Sequence, residues 1–221
     1  MDVMSLRRRL LMQAQNNDEC PYIKNGLVFW LDGILKGTDS SKWVDRIGRR
    51  EFTLTGCTFA ETGVTFSDTN SGGDYNGSID VPWNTGTIEC AVDNLPTNSI
   101  ILMPYNQNGN SNIGMIKGTG TNLGYRLDGS GTPRAYVTAG AQTVSINIQS
   151  VVYDKKISRF QNNEIWSNSN SKTTLGYRNG TKPYHFIGTM YSVRIYDRLL
   201  STDEMLYNQT VDCNRFNLEL N

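Results

Sequence analysis

Paired carboxylates are the first groups to look for, because two of them held about 5 to 9.5 Å apart across a glycosidic bond can hydrolyse it. Glu89 lies in a strand-like segment, and its one acidic partner two or four residues onward is Asp93, in a turn pattern. We therefore predict that the protein is not an enzyme and that Glu89 is an outward strand residue bonded to a neighbouring loop. The alternative role for Glu89 is a general acid or base.

His185 is the only histidine in the sequence, so any Ser-His-Asp or Cys-His arrangement must include it. It stands between Tyr184 and Phe186 at the start of a strand pattern, where a packed or surface imidazole is the common outcome. The sequence has no Gly-x-Ser-x-Gly motif, and zinc would need more His or paired Cys. These residues therefore indicate neither nucleophilic nor zinc catalysis.

The four cysteines are too far apart in sequence for a Cys-x-x-Cys metal or redox pair. Their even number permits two disulfides, and Cys20 with Cys213 is a sensible pair if the two chain ends meet at one edge of the fold. Reduced thiols that pack as small apolar groups are the alternative. We favour reduced thiols because no secretion signal is recognised.

Aromatic and amide side chains near predicted loops could bind a sugar through ring stacking and hydrogen bonds to hydroxyl groups. Trp166, between Asn163 and Asn168, is the strongest single candidate. The predicted ligand-binding residues are Trp83, Tyr105, Asn106, Tyr136, Trp166, Asn168 and Tyr184; Tyr125 and Tyr177 share the same setting. For each aromatic residue, the alternative is a cap over the edge of the fold. Trp30 and Trp43, by contrast, are predicted to pack in the core.

The composition excludes some classes of partner. The 221 residues include 21 Lys and Arg against 21 Asp and Glu, so the formal net charge is zero, and nucleic-acid binding is not expected. Asn, Ser, Thr and Gly make up 82 residues, so the chain is polar through amides and hydroxyls. No apolar run approaches the roughly 18 residues of a membrane-spanning helix, and we expect a soluble protein without membrane insertion.

Short alternating strand patterns separated by turn residues predict an all-β, two-sheet antiparallel sandwich. Residues 27–31 are apolar throughout, as in a strand covered on both faces. In residues 87–92, Ile88, Cys90 and Val92 face one way and Glu89 the other. Residues 144–149 indicate a half-buried strand, residues 190–196 the last strand, and Asn162-Asn163 a tight hairpin.

A short C-terminal helix is signalled by Ser201 and Glu204, which form a capping box. Met205, Leu206 and Tyr207 would bury one side of two or three turns. Because this helix directly follows the last strand, we expect it at one end of the sandwich.

Residues 1–19 predict an N-terminal helical arm, separate from a main domain of residues 20–221. Its apolar stripe includes one charge, Arg7, and the apolar positions are Val3, Met4, Leu6, Leu10, Leu11 and Ala14. The arm could pack on its own subunit, or dock on a neighbour and make a homo-oligomer. The apolar stretch after the three arginines is too short for a secretory signal.

The C-terminal stretch F-I-G-T-M-Y-S-V-R-I-Y-D-R-L-L-S-T-D-E at residues 186–204 resembles the signature of laminin-G-like domains of the concanavalin A-like lectin/glucanase superfamily. N-G-L-V-F-W-L-D-G at residues 25–33 resembles the family's first strand. The resemblance spans roughly residues 24–216 and implies a jelly roll. Residues 4–12 also resemble the openings of structural proteins from prophages of gut bacteria.

The same resemblance implies a possible calcium site, because laminin-G-like domains often hold one calcium ion with loop carboxylates. The acidic loop residues available are Asp32, Asp45, Asp68, Asp74 and Asp80. Their spacing matches no dedicated loop motif, so we favour solvated turn residues and leave calcium as the open alternative.

Two function classes remain. The first is a noncatalytic recognition domain that binds carbohydrate or another surface ligand, on a phage particle or a bacterial cell surface. The second is a structural or assembly module that oligomerises through residues 1–19. An exposed aromatic cluster on one sheet or in the end loops would favour the first class, and a subunit interface that buries the apolar stripe would favour the second.

Overall fold

A computed structural model describes residues 19–77, 79, 85–96, 99–105, 115–117, 122–125, 135–136, 140–147, 149–158, 172–177 and 185–220. Within them the strands are β1 (Leu27–Asp32), β2 (Lys42–Val44), β3 (Glu51–Thr55), β4 (Cys57–Phe59), β5 (Val64–Phe66), β6 (Gly72–Tyr75), β7 (Thr87–Val92), β8 (Ser99–Ile100), β9 (Leu102–Tyr105), β10 (Met115–Lys117), β11 (Asn122–Tyr125), β12 (Ala135–Tyr136), β13 (Thr143–Asn147), β14 (Val151–Tyr153), β15 (Lys156–Ser158), β16 (Lys172–Leu175) and β17 (Gly188–Tyr196). Helix α1 (Thr202–Phe216) follows the last strand.

These strands form antiparallel sheets, which confirms the predicted β-sandwich class. The large sheet has the order β15-β14-β13-β7-β17-β5-β4, with β1 also paired to β17. A five-stranded sheet has the order β2-β3-β6-β16-β9, and a four-stranded sheet the order β12-β11-β10-β8. Strands β11 and β12 pair antiparallel, with Asn122 opposite Tyr136.

The main core contains the inward side chains of the large and five-stranded sheets. Ile88, Cys90 and Val92 alternate into it from β7, as the sequence predicts, and Phe52 and Leu54 enter it from β3. Burial of such side chains contributes about 1.5 to 3 kcal/mol each. The prediction for both tryptophans is confirmed as well, because Trp43 is fully buried in this core and Trp30 in a second cluster.

The second cluster lies under helix α1, which covers the outer face of the large sheet. The helix contacts β13 and β14, so its predicted place at one end of the sandwich is wrong. The prediction of a half-buried β13 is wrong as well, because both polar residues that point away from the core are buried: Ser145 lies beneath the helix, and Asn147 donates to the carbonyl of Leu200, just before it. Helix α1 has 15 residues and is longer than predicted.

Polar groups fill much of the contact between α1 and the sheet. Arg194 donates from Nε to Glu89 Oε2 at 2.9 Å and from Nη2 to Asp212 Oδ2 at 2.6 Å. Asn208 donates to the same Glu89 oxygen at 2.8 Å, and Ser145 donates to Oε1 at 2.8 Å. The prediction that Glu89 bonds a loop is therefore wrong. This carboxylate points outward from β7 but is fully buried under a helix that no strand pattern could indicate.

The helix begins and ends as its sequence requires. Ser201 and Glu204 form the predicted capping box, and Arg198 holds the Glu204 carboxylate at 2.6 Å. Asn217 ends the helix in the left-handed conformation, with φ of 54°. The buried side of α1 differs from the prediction: Met205 is buried, but Tyr207 is exposed, and Asn208, Gln209 and Asp212 are buried instead.

The four cysteines form no disulfide, so the pairing of Cys20 with Cys213 is not present. In the described part of the chain no helix is long and apolar enough to cross a membrane. Residues 1–18 of the predicted arm of residues 1–19, and the hairpin at Asn162-Asn163, lie outside the described residues.

Candidate functional site

The predicted ligand-binding residues divide into two groups. Tyr105 ends strand β9, where it is the register partner of Lys172, and Tyr136 ends β12. The others lie outside the described residues: Trp83, Asn106, Trp166, Asn168 and Tyr184. The structure therefore brings a different set of residues together, on the outer face of the five-stranded sheet.

Tyr177 is the centre of this set. In β6, Gly73 packs against core leucines, so Gly72 and Asp74 face outward. The Tyr177 ring lies against Gly72, because a Cβ built there would be 2.4 Å from Cδ1 of the ring. Its hydroxyl donates to Asp74 Oδ1 at 2.5 Å. The phenol thus runs along β6 against the backbone of Gly72, and Tyr177 is half-buried there.

Asp74 and Lys172 form an ion pair at the hydroxyl end of the ring. Lys172 Nζ lies 2.7 Å from Asp74 Oδ1, and the two side chains are 26% and 37% exposed. An exposed ion pair of this kind adds little stability, about 0 to 1 kcal/mol. Its chemical use is greater, because a carboxylate and an ammonium group side by side accept and donate hydrogen bonds to a polyhydroxylated ligand.

His185 extends the aromatic surface. It forms an isolated antiparallel bridge with Tyr177, and the two rings are nearly parallel, with 10° between their planes and 6.2 Å between centroids. Rings directly on top of each other would be closer than this, so these two are offset. We call Gly72, Asp74, Lys172, Tyr177 and His185 the Tyr177 face.

Local structure fixes Tyr177 and His185 in place. Gly176 adopts a φ of +76° and approaches the Phe66 ring so closely that a Cβ would be 2.7 Å from it, so only glycine fits. The Thr174 hydroxyl donates to the Tyr177 carbonyl at 2.7 Å, and the Phe186 amide donates to the Gly176 carbonyl at 2.7 Å. Phe186, the residue after His185, packs in the core. This contact holds the backbone of His185 in place just before β17.

The carboxylates considered for calcium have other partners. Asp32 and Asp45 are fully buried, so the prediction that they are solvated turn residues is wrong. Asp32 Oδ2 pairs with Arg215 at 2.6 Å, and Asp45 Oδ2 with Arg50 at 2.6 Å. Asp80 lies outside the described residues, and among those described no three His, Cys, Asp or Glu side chains converge on a metal position.

Sequence reasoning missed Gly72 and Lys172, and it considered Asp74 only as a solvated turn residue or a calcium ligand, whereas the residue lies in strand β6. One signal was available: G-G-D-Y at residues 72–75 places two glycines inside a strand pattern, which often marks a close approach of another group. The pairing of β6 with β16, about 100 residues apart in sequence, had no signal in the sequence.

Solved structures with a similar fold include carbohydrate-active proteins. Trypanosoma rangeli sialidase in complex with sialic acid matches 95% of this chain with a TM-score of 0.63 at 14% identity, and the chain spans 39% of the sialidase. Domain 4 of AbnA, a GH43 extracellular arabinanase from Geobacillus stearothermophilus, in complex with arabinotriose, has a TM-score of 0.57 at 14% identity, covering 81% of this chain and 96% of that domain.

The receptor binding domain of botulinum neurotoxin type G has a TM-score of 0.51 at 12% identity, covering 85% of this chain and 51% of that chain. No family model and no curated protein matches the sequence. At these identities the comparisons show the fold alone, a β-sandwich.

The comparisons correct one prediction. We predicted from the missing carboxylate pair that the protein is not an enzyme, but the structures with this fold include several sialidase complexes. The prediction is therefore wrong as stated, because the absence of a carboxylate pair along one strand does not exclude catalysis in a chain of this fold. The similarity covers 39% of the sialidase chain and assigns no activity either.

Proposed function

We propose that this chain is a carbohydrate-recognition domain that binds glycan on the Tyr177 face. The observation that carries the proposal is the Tyr177 ring held against Gly72, with the Asp74 and Lys172 pair at its hydroxyl end. An aromatic surface beside a few fixed polar groups is what a sugar site needs: the ring contacts the apolar face of the sugar and the polar groups fix its hydroxyls.

Preorganisation strengthens the proposal. Tyr177 is positioned by its hydroxyl, by the Gly72 backbone and by the turn that Gly176 permits, so little rotamer entropy remains to be lost on binding. The arabinanase domain in complex with arabinotriose is a similar sandwich of nearly the same extent, which makes a saccharide a reasonable ligand class. A concanavalin A-like jelly roll and a place on a phage particle or bacterial surface are part of the proposal and rest on the sequence resemblance.

A glycan array followed by isothermal titration calorimetry tests the proposal. We expect the full chain to bind at least one saccharide and the Tyr177→Ala variant to bind it about tenfold more weakly, since the lost contact is worth roughly 1 to 1.5 kcal/mol. Tyr207→Ala is the matched control, because Tyr207 is an exposed tyrosine on helix α1, which packs on the large sheet and not on the five-stranded sheet. Unchanged affinity in Tyr177→Ala, or an equal loss in Tyr207→Ala, would refute the proposed site.

A further inference from the structure

We propose that Asp74 selects the ligand of this face and that the ligand is a neutral, hydroxyl-rich saccharide rather than an acidic one. This inference rests on the proposed function, which it makes more specific. It follows from how the carboxylate is used and from how charge is distributed over the outer face of the sheet.

The two oxygens of Asp74 have different surroundings. The Tyr177 hydroxyl donates to Oδ1 at 2.5 Å, and Lys172 Nζ lies 2.7 Å from the same oxygen. Among the described residues no side chain or amide donates a hydrogen bond to Oδ2, and the Asp74 side chain is 37% exposed. An ionised carboxylate oxygen only accepts hydrogen bonds, so the group that completes it on binding must be a donor. A sugar hydroxyl is such a donor, and a second carboxylate is not.

The position of the Asp74 carboxylate beside the Tyr177 hydroxyl suits a hydroxyl of a stacked sugar. The Tyr177 hydroxyl contacts Asp74 directly, so the carboxylate lies at the rim of the aromatic ring. A saccharide ring lying on the aromatic surface carries its hydroxyls around its own rim. We expect those hydroxyls to reach Asp74 without movement of the carboxylate, because its Oδ1 is held by Tyr177 and Lys172.

The charges of the five strands are balanced. The strands β2, β3, β6, β16 and β9 contain four charged residues, and these form two ion pairs: Lys42 with Glu51 at 2.7 Å and Lys172 with Asp74 at 2.7 Å. An acidic saccharide would have to compete with Asp74 for Lys172 and would be repelled by the same carboxylate. A neutral saccharide meets neither cost.

Arg178 and Lys182 lie in the chain between Tyr177 and His185, outside the described residues. Acidic saccharides therefore belong in the test. We would titrate the full chain with matched pairs that differ in charge: trigalacturonate and its methyl ester, 3′-sialyllactose and lactose, together with arabinotriose.

The variants are Asp74→Asn and, as the matched control, Glu51→Gln, which neutralises the carboxylate of the other ion pair on the same sheet. We expect the neutral saccharides to bind, Asp74→Asn to weaken that binding at least about tenfold, and Glu51→Gln to change it less than twofold. Thermal melting of each variant shows that the fold is retained.

Two results would overturn the inference and differ in what else they overturn. If an acidic saccharide binds more tightly than its neutral counterpart, and Asp74→Asn strengthens that binding, Asp74 does not select neutral ligands, while a loss of binding in Tyr177→Ala leaves the proposed function intact. If no saccharide binds, or if Tyr177→Ala binds as well as the parent chain, the proposed function fails together with the inference.

Discussion

Single residues decide whether the Tyr177 face has its shape. Gly72 is the clearest case, because the Tyr177 ring occupies the space of the missing Cβ. Most strand positions favour a larger residue than glycine, and a glycine in a strand interior costs stability. Its presence in β6 is explained by the ring that lies against it.

Gly72→Ala should therefore weaken saccharide binding about as much as Tyr177→Ala while changing the stability of the fold by less than about 1 kcal/mol. The new methyl group would displace the Tyr177 ring, whose Cδ1 lies 2.4 Å from the Cβ position. Calorimetry and urea unfolding of the same variant check both parts. Thr55→Ala is the control, because Thr55 is the exposed register partner of Gly72; normal affinity in Gly72→Ala would show that the ring position is not needed.

Two glutamates should give opposite pH dependences of stability. Burial raises the pKa of Glu89 above its ordinary value of 4.5, against the opposing effect of Arg194. The hydrogen bond from Arg198 lowers the pKa of Glu204 to about 2. A raised folded-state pKa contributes stability that is present below the unfolded pKa and is lost as pH rises through the folded value, and a lowered pKa does the reverse.

We expect the unfolding free energy of the parent chain, measured relative to Glu89→Gln, to fall as pH rises above about 4.5. Relative to Glu204→Gln it should instead rise between pH 2 and about 4.5. Urea unfolding of the three chains across this range measures both slopes. A difference from Glu89→Gln that does not change with pH would contradict the buried, desolvated state of that carboxyl.

At the scale of elements, helix α1 is attached to the large sheet through ions as well as apolar groups. Arg194 on β17 reaches Asp212 on the helix with two short hydrogen bonds, at 2.7 and 2.6 Å, and all of these groups are fully buried. Tyr22 donates to Asp212 at 2.8 Å and lies 3.9 Å beneath the guanidinium. Removing one partner of such a pair leaves a buried charge without compensation.

Asp212→Ala should lower the unfolding free energy by about 3 to 5 kcal/mol. Helix α1 should also exchange its amide hydrogens faster than the large sheet does, because its polar attachment is lost. Denaturant unfolding and hydrogen exchange measure the two effects. Asp203→Ala, which removes an acid from the exposed first turn of the same helix, serves as the control; a loss below 1 kcal/mol in Asp212→Ala would contradict the structural role of the ion pair.

The elements were predictable where the signal is local. Residues 87–92 alternate with period two, and Ser201 with Glu204 marks a helix start, so β7 and the start of α1 follow from the sequence alone. The burial of Glu89 and Arg194 was not predictable, because polar residues in a strand pattern indicate a solvated face. Only the docking of helix α1, which begins at Thr202, reverses that expectation. The Tyr177 face likewise depends on pairing between distant strands.

For the molecule as a whole, the predicted division into an arm and a main domain can be tested by truncation. The chain from Cys20 onward already packs in the second cluster, and Tyr22 bonds the helix, so removing residues 1–19 leaves these contacts in place. Among the described residues, the truncation removes the exposed ion pair between Glu19 and Lys24. Each large apolar side chain of residues 3–14 that becomes buried against another surface would stabilise the protein by roughly 1.5 to 3 kcal/mol.

We therefore predict that the full chain self-associates and that the truncated chain, residues 20–221, is a folded monomer. Light scattering gives the masses and circular dichroism the fold. Leu10→Glu in the full chain is the companion variant, since it should shift the mass toward the monomer without truncation. If the full and truncated chains have the same number of subunits, the arm packs on its own subunit and has no role in assembly.

The most direct test of glycan binding at the Tyr177 face uses the single histidine of the sequence. Its ring signals in a proton NMR spectrum belong to His185 without further assignment, and His185 lies 6.2 Å from Tyr177 between ring centroids. Titration with the saccharide that binds best should shift these signals saturably, with the dissociation constant found by calorimetry. Binding detected by calorimetry while the His185 signals stay unchanged would place the ligand elsewhere and contradict the proposed site.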